Sequence, residues 1–458
     1  MQLLTPGKLG HLVLRNRVVM APMTRNRADA AGVVGDPTVT YYRQRASAGL
    51  IITEATNISE AAKGYMMTPG IWSEAQVEGW KRVTSAVHKE GGTIVMQLWH
   101  TGRVGHSEVR GGALPLAPSA VGIEGQMHFT PTGPKAYEVP RAMTTEEVEA
   151  TIEDYATAAA NAKRAGFDGV ELHAAFGYLP HAFLVDSANQ RTDRFGGSVE
   201  NRARFVLEVM ERLVAVWGAG RAAIRLSPTI AYNGMVDSDP LATFSYLIEK
   251  LNALPLAYLH LMRATPDATR FPHWPQDTVA AFGPLFHGPI ILNGGFDREG
   301  AEAAVTAGAA GVSFGAPFVA NPDLVARLGA DAALAKPNPA TYYGGGDTGY
   351  IDYPVLTEAP AAAPGFWQVT ARVTDPAGFG RYTAVAGPVL ASFGGQPIAR
   401  GDRFEALEGS AAGRPYLVRF PSYAAARACF YSAGYQEAIA LRAETASFDI
   451  VVVEGMPA

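Results

Sequence analysis

Eight short β-rich apolar runs, most of them separated by helical patterns, predict an α/β protein built on a (β/α)8 TIM barrel. Two further observations complete the fold class. The segment 111–141 is rich in Pro and Gly with short hydrophobic alternation, too much chain for a simple loop, and predicts an inserted β-hairpin lid over the barrel mouth. After Tyr353-Pro354 the composition changes: 357–364 reads as a linker, and 365–458 reads as a separate ferredoxin-like α+β domain. The barrel is thereby expected over 1–356.

The predicted barrel strands are 17–21, 49–53, 93–98, 169–173, 222–226, 257–261, 289–292 and 311–314. Thr144 with Glu147 forms a capping box that starts a helix. Asn321-Pro322-Asp323 is expected to cap another before Leu324. In the tail, 366–373 alternates as a strand and a helix is expected from about Pro376 to Phe393. Two strands are expected around Gly401-Asp402 and another at 416–420, with helices over 423–441 and a closing strand at 448–453.

Composition narrows the function. A hydrophobic fraction of 48% with 18% charged residues is that of a globular protein with a large core. A net charge of −5, with its cations scattered, gives no electrostatic reason to expect nucleic acid or an anionic membrane. The single cysteine, Cys429, leaves no internal disulfide or Cys-based metal site, and reads as a small buried hydrophobe. No metal site is expected. No signal core or membrane-spanning stretch is visible, so a cytoplasmic location is expected.

In such a barrel, functional side chains sit at the C-terminal ends of strands and in the loops beyond. Thr24, Gln97, His173 and Arg225 meet that condition. Gly294-Gly295 and Gly315 follow the seventh and eighth strands, where barrels commonly bind phosphate through backbone N–H groups.

The stretch Glu171-Leu-His173-Ala-Ala-Phe176-Gly-Tyr178, closed by Asn189-Gln-Arg-Thr-Asp193 and its continuation to Asn201, resembles the signature of the old yellow enzyme family, the FMN-dependent ene-reductases. Ala21-Pro22-Met23-Thr24, Thr53-Glu-Ala55, Met96-Gln97-Leu-Trp99, Arg225 in Ile-Arg-Leu-Ser, and the ending Tyr342 to Pro354 also match. The resemblance covers 1–354. It implies FMN held by Pro22, Met23, Thr24, Ala55, Gln97, Arg225, Gly294, Gly295, Gly315 and Ala316, with NADPH as reductant. It implies a conjugated small-molecule substrate lined by Tyr65, Trp99, His173, Phe176, Tyr178 and Tyr350. Tyr178 would be the proton donor and His173 an anchor for the substrate's electron-withdrawing group.

Two positions depart from that pattern. The family usually has Asn or His where Phe176 stands, and losing a transition-state donor of this kind typically costs about 3 kcal/mol. Arg usually follows the glycine at 315, whereas Ala316 offers only a backbone N–H. The expected function is therefore an FMN-dependent oxidoreductase acting on an activated C=C, with altered substrate choice. The alternative is a flavin-free isomerase, cyclase or binding protein on the same barrel. The tail resembles a bacterial domain family of unknown function in the dimeric α/β-barrel superfamily, through Asp375-Pro, Gly394-Gly395, Arg403-Phe-Glu405 and Phe420-Pro-Ser422. That likeness implies a homodimer or higher oligomer through the tail.

Overall fold

The computed structural model describes residues 1–356, 364–401, 403–409 and 413–456. Two compact units divide the chain, Met1–Val355 and Leu356–Ala458. The expected linker at 357–364 lies almost wholly outside the described residues, as does Asp402.

Eight parallel strands close the first unit: β1 (Val18–Met20), β2 (Leu50–Ile52), β3 (Ile94–Trp99), β4 (Gly169–Ala174), β5 (Ala222–Leu226), β6 (Leu259–Met262), β7 (Ile290–Asn293) and β8 (Gly311–Phe314). Closure is made by β3 against β4, in the register Glu171 to Gln97, and by β8 against β1. Strands β3 and β4 are buried along their whole length. Both faces are covered, so the polar residues they carry, Gln97 in β3 and Glu171 and His173 in β4, are buried with the apolar ones.

The two-residue period of a strand sorts the interior into layers. Val19, Leu50, Ile52, Val95, Ala223, Tyr258 and Ile291 form an apolar lower layer. The N-terminal hairpin of Gly7–Leu9 and Leu12–Leu14 packs Leu9, Leu12 and Leu14 against it. Two residues further along the same strands stand Gln97, Arg225, His260 and Asn293, all buried. The polar layer thus begins where the apolar one stops, toward the C-terminal ends.

Helices α1 (Asp36–Gln44), α2 (Glu74–Lys89), α3 (Thr145–Arg164), α4 (Val199–Trp217), α5 (Pro240–Leu251), α6 (Thr278–Phe282), α7 (Arg298–Thr306) and α8 (Leu324–Ala330) include the helices that wrap the strands. The Thr144–Glu147 capping box starts α3 as expected. The cap expected from Asn321 is not made. Its amide instead donates to Pro317 and Ala335 carbonyls, and Asp323 flanks α8 without a side-chain cap bond. Between β3 and α3 the inserted hairpin is present, Met127–Thr130 against Gly133–Ala136.

The second unit carries β9 (Gly365–Val373), α9 (Pro376–Ser392), β10 (Gln396–Arg400), β11 (Arg414–Phe420), α10 (Tyr423–Tyr431), α11 (Ala433–Arg442) and β12 (Ala446–Glu454). Its antiparallel sheet has the order β10-β11-β9-β12. This is the ferredoxin-like order with the second helix divided at Ser432. The second strand expected near Gly401 is not seen among the described residues, where 403–409 has no regular structure. Cys429 is fully buried, as its helical setting suggested.

Candidate active site

The ends of β3 and β4 bring five of the expected side chains together. His173 lies 4.8 Å from Tyr178, ring to ring, and Tyr178 meets the face of Trp99 edge-on at 4.9 Å. Tyr65 stacks on Trp99 at 5.5 Å. Phe176 stands edge-to-face with His173 at 6.1 Å. Tyr65 reaches this wall because residues 64–65 are clamped from the inserted hairpin. There His128 Nε2 bonds the Gly64 carbonyl at 2.7 Å and its ring packs on Tyr65.

The loop after β4 is bent sharply. Phe176 has φ +57 and Gly177 φ +84. A Cβ on Gly177 would sit 2.7 Å from the Asn233 side chain, so glycine is required there. Phe176 is held in its left-handed conformation at both ends: its N–H donates to Ser227 Oγ at 3.0 Å, and Asn233 donates to its carbonyl at 2.8 Å. Asn tolerates this conformation far better than an aromatic residue, so Phe176 stores backbone strain of about 1 kcal/mol.

Below this wall, Gln97, Glu171, His260 and Ser313 form one buried chain. Gln97 Nε2 donates to Glu171 Oε1 at 2.7 Å, and His260 Nδ1 lies 3.0 Å from Glu171 Oε2. His260 Nε2 lies 2.8 Å from Ser313 Oγ. Arg225 joins alongside by donating to Asn293 Oδ1 at 2.8 Å. The Ser–His–Glu order is that of a nucleophilic triad, but Ser313 is only 3% exposed within the barrel, which leaves no room for an acyl acceptor. Burial alone would raise the Glu171 pKa. The His260 contact, the Arg225 guanidinium and the Gln97 bond outweigh it and hold the carboxyl below its usual range, while burial also lowers the His260 pKa.

Burial, reinforced by Arg225, pushes the His173 pKa well down, so the ring is neutral and serves as a hydrogen-bond donor. Burial among aromatic rings raises the Tyr178 phenol. It therefore keeps its proton at neutral pH, as a general acid must.

The remaining expected residues rim the mouth. Pro22, Met23 and Thr24 are half-buried just past β1, and Ala55 is buried past β2. A Cβ on Gly315 would lie 2.9 Å from Met23 Sδ, which ties the β8 loop to that segment. Gly294 and Gly295 both have positive φ, and a Cβ on Gly295 would meet only open space. Ala316 begins a short helix, Ala316–Ala320.

One expectation fails. Tyr350 does not face this pocket. It is fully buried, stacked on Tyr41 at 4.3 Å and covered by the Arg27 guanidinium at 4.4 Å, within a cluster that also holds Arg25. Its place in the ending Tyr342 to Pro354 suggested the pocket, but packing put it into the core. Tyr343, in the same segment, is 64% exposed. Two features were not expected from the sequence: Tyr137, whose ring packs on His128 at 5.3 Å, and the His260–Ser313 chain. The alternation of β6 and β8 carried the signal for that chain: a His and a Ser at inward positions of apolar strands.

A (β/α)8 barrel with a buried arginine, a glutamine amide and two glycine-rich turns at its mouth defines a flavin-binding oxidoreductase barrel. The chain belongs to the NADH:flavin oxidoreductase / NADH oxidase family, whose model matches residues 2–334. It is 45% identical to the putative 12-oxophytodienoate reductase 4 of Oryza sativa subsp. japonica over 79% of this chain and 95% of that one. It is 42% identical to the probable flavin mononucleotide-dependent alkene reductase of Leishmania infantum, over 77% and 97%. Among solved structures, morphinone reductase superposes with a TM-score of 0.74 at 46% identity, covering 78% of this chain and 96% of that one. The Zymomonas mobilis old yellow enzyme homologue gives 0.75 at 43%, covering 78% and 100%. Residues 364–456 match a domain of unknown function, DUF1330.

The protein is thus an ene-reductase-like oxidoreductase with FMN as cofactor and a nicotinamide as reductant. The flavin-free alternative is set aside. The residues present fit FMN on their own terms. Arg225 Nε and His173 Nδ1 are buried without a hydrogen-bond partner among the described residues. Gln97 has its amide nitrogen engaged, which leaves the amide oxygen free to accept.

Proposed function

We propose that the protein reduces the C=C bond of a conjugated substrate whose electron-withdrawing group is held by His173 alone, and that Phe176 shifts its choice toward flat, apolar molecules. When bound, FMN supplies hydride chemistry at the barrel mouth. Gln97 and Arg225 would hold its pyrimidine edge, and the turns at Gly294-Gly295 and Gly315 its phosphate. The rest is done by this chain's own side chains. Neutral His173 donates to the substrate oxygen and stabilises the charge that develops there. Trp99, Tyr65 and Phe176 form an aromatic enclosure that excludes water and orients a flat molecule. Tyr178 delivers a proton to the substrate carbon.

The observation that carries this reading is the cluster of His173, Tyr178, Trp99 and Phe176 around one mouth. The test compares NADPH consumption with a small cyclic enone and with an extended aromatic enone. A strong preference for the second is expected, and equal turnover of both would remove the role given to Phe176.

The same reading extends to assembly. The tail sheet leaves Val451 and Val453 exposed along its edge strand β12, an apolar stripe suited to pairing with a second copy. A dimer that is lost on deletion of 365–458 is expected by light scattering.

A further inference from the structure

We propose that Glu171, deep in the barrel and outside the pocket itself, is the positioning residue that gives the flavin site its polarity. The inference rests on the FMN reading and adds to it.

A glutamine amide is nearly symmetrical in shape, so its environment decides which end points where. Glu171 decides it here. Its carboxyl is held ionised beside Arg225 and His260, and an ionised carboxylate only accepts. The Gln97 nitrogen must therefore face Glu171, at 2.7 Å, and the oxygen must face away. The site then presents an acceptor at Gln97 and a cation at Arg225, which is the pattern a ring N–H beside an electron-rich carbonyl requires.

The second oxygen of Glu171 is also fixed, at 3.0 Å from His260, whose far nitrogen lies 2.8 Å from Ser313. Four strands thus lock one carboxylate in place. Glu171, Gln97 and His260 are at most 1% exposed, so no water can take over its bonds. The same carboxylate partly offsets the Arg225 charge. It therefore limits how strongly the site favours the reduced, anionic cofactor over the oxidised one.

Two substitutions separate orientation from charge. Glu171→Gln keeps the shape, removes the charge and allows the Gln97 amide to turn. Glu171→Asp keeps the charge but withdraws it from Gln97. Apoprotein is titrated with FMN by fluorescence, and the midpoint potential of the loaded protein is measured by dye equilibration. Glu171→Gln should raise the site's preference for reduced over oxidised FMN at least tenfold, which is about 30 mV for a two-electron couple. Glu171→Asp should weaken FMN binding at least fivefold with little change in potential. It carries the orientation test alone should Glu171→Gln not fold. Combining Glu171→Asp with Gln97→Met should add nothing to the loss from Gln97→Met alone, because the two act through one bond. Wild-type affinity and potential in both variants, or additive losses, would overturn the proposal while leaving the FMN reading intact. Wild-type protein that takes up no FMN would overturn both.

Discussion

The guanidinium of Arg225 lies over the ring of Phe176, 5.1 Å from its centroid. One of the two departures from the family pattern therefore touches the cation proposed to hold the flavin edge. An aromatic face attracts a cation by about 0.5–2 kcal/mol, according to its exposure. Phe176 thus removes a hydrogen-bond donor from the substrate side while bracing Arg225. The backbone strain at Phe176 is offset by the Ser227 and Asn233 bonds that hold its two peptide groups.

Phe176→Asn should act on three quantities together. It supplies a donor near the substrate oxygen, relieves the left-handed strain, and frees Arg225 from the ring. Turnover of a small cyclic enone should rise about tenfold or more. Thermal stability should change little, since relief of strain opposes lost aromatic packing. A variant with unchanged enone turnover would show that position 176 does not face the substrate oxygen.

Tyr178→Phe should leave the half-reaction with nicotinamide almost untouched and slow the half-reaction with alkene by about a hundredfold or more. Since burial raises the phenol's pKa, the wild-type alkene half-reaction should be flat between about pH 6 and pH 9. Stopped-flow kinetics of the two half-reactions distinguish these effects. Equal slowing of both would mean that Tyr178 shapes the pocket rather than donating a proton.

Much of this site was legible in the sequence because strands declare themselves locally. The runs around Gln97, His173 and Arg225 are short, apolar and β-branched, so their ends, and the residues at those ends, could be placed to within a residue or two. Tyr350 could not be placed the same way. It lies in a Gly-rich segment with no period, and its direction is set by long-range packing on Tyr41 and Arg27. The left-handed φ of Phe176 was equally hidden, because its clamps, Ser227 and Asn233, come from the loop after the next strand. His260 and Ser313 were masked by the apolar runs around them. Glu171 drew notice as part of a motif, but its partners come from β3 and β6 and only the folded barrel shows them.

Glu54 gives a stability prediction. Burial beside β2 raises its pKa from 4.5 to about 7, against the Arg25 N–H and the neighbouring arginines. A carboxyl whose folded pKa is raised binds its proton more tightly in the native state than in the unfolded chain. Its contribution is therefore favourable at low pH and is lost as pH rises from about 4.5 to about 7. The shift corresponds to about 3 kcal/mol. Glu54→Gln should flatten the Tm of the barrel across that interval. An unchanged slope would mean that Glu54 is ionised throughout.

Ala316→Arg tests the second departure. The turns at Gly294-Gly295 and Gly315 offer backbone N–H groups, and Ala316 adds no charge to them. A charge-assisted contact is worth about 1.5–3 kcal/mol, so an arginine reaching the FMN phosphate should tighten FMN binding by about tenfold to a hundredfold. Riboflavin, which has no phosphate, serves as the control and should bind both proteins equally. The gain for FMN should also shrink at high salt, because an exposed ion pair is screened. Tighter binding of both flavins would place the effect in the packing of the β8 loop against Met23. No gain for either would mean that the backbone turns already saturate the phosphate.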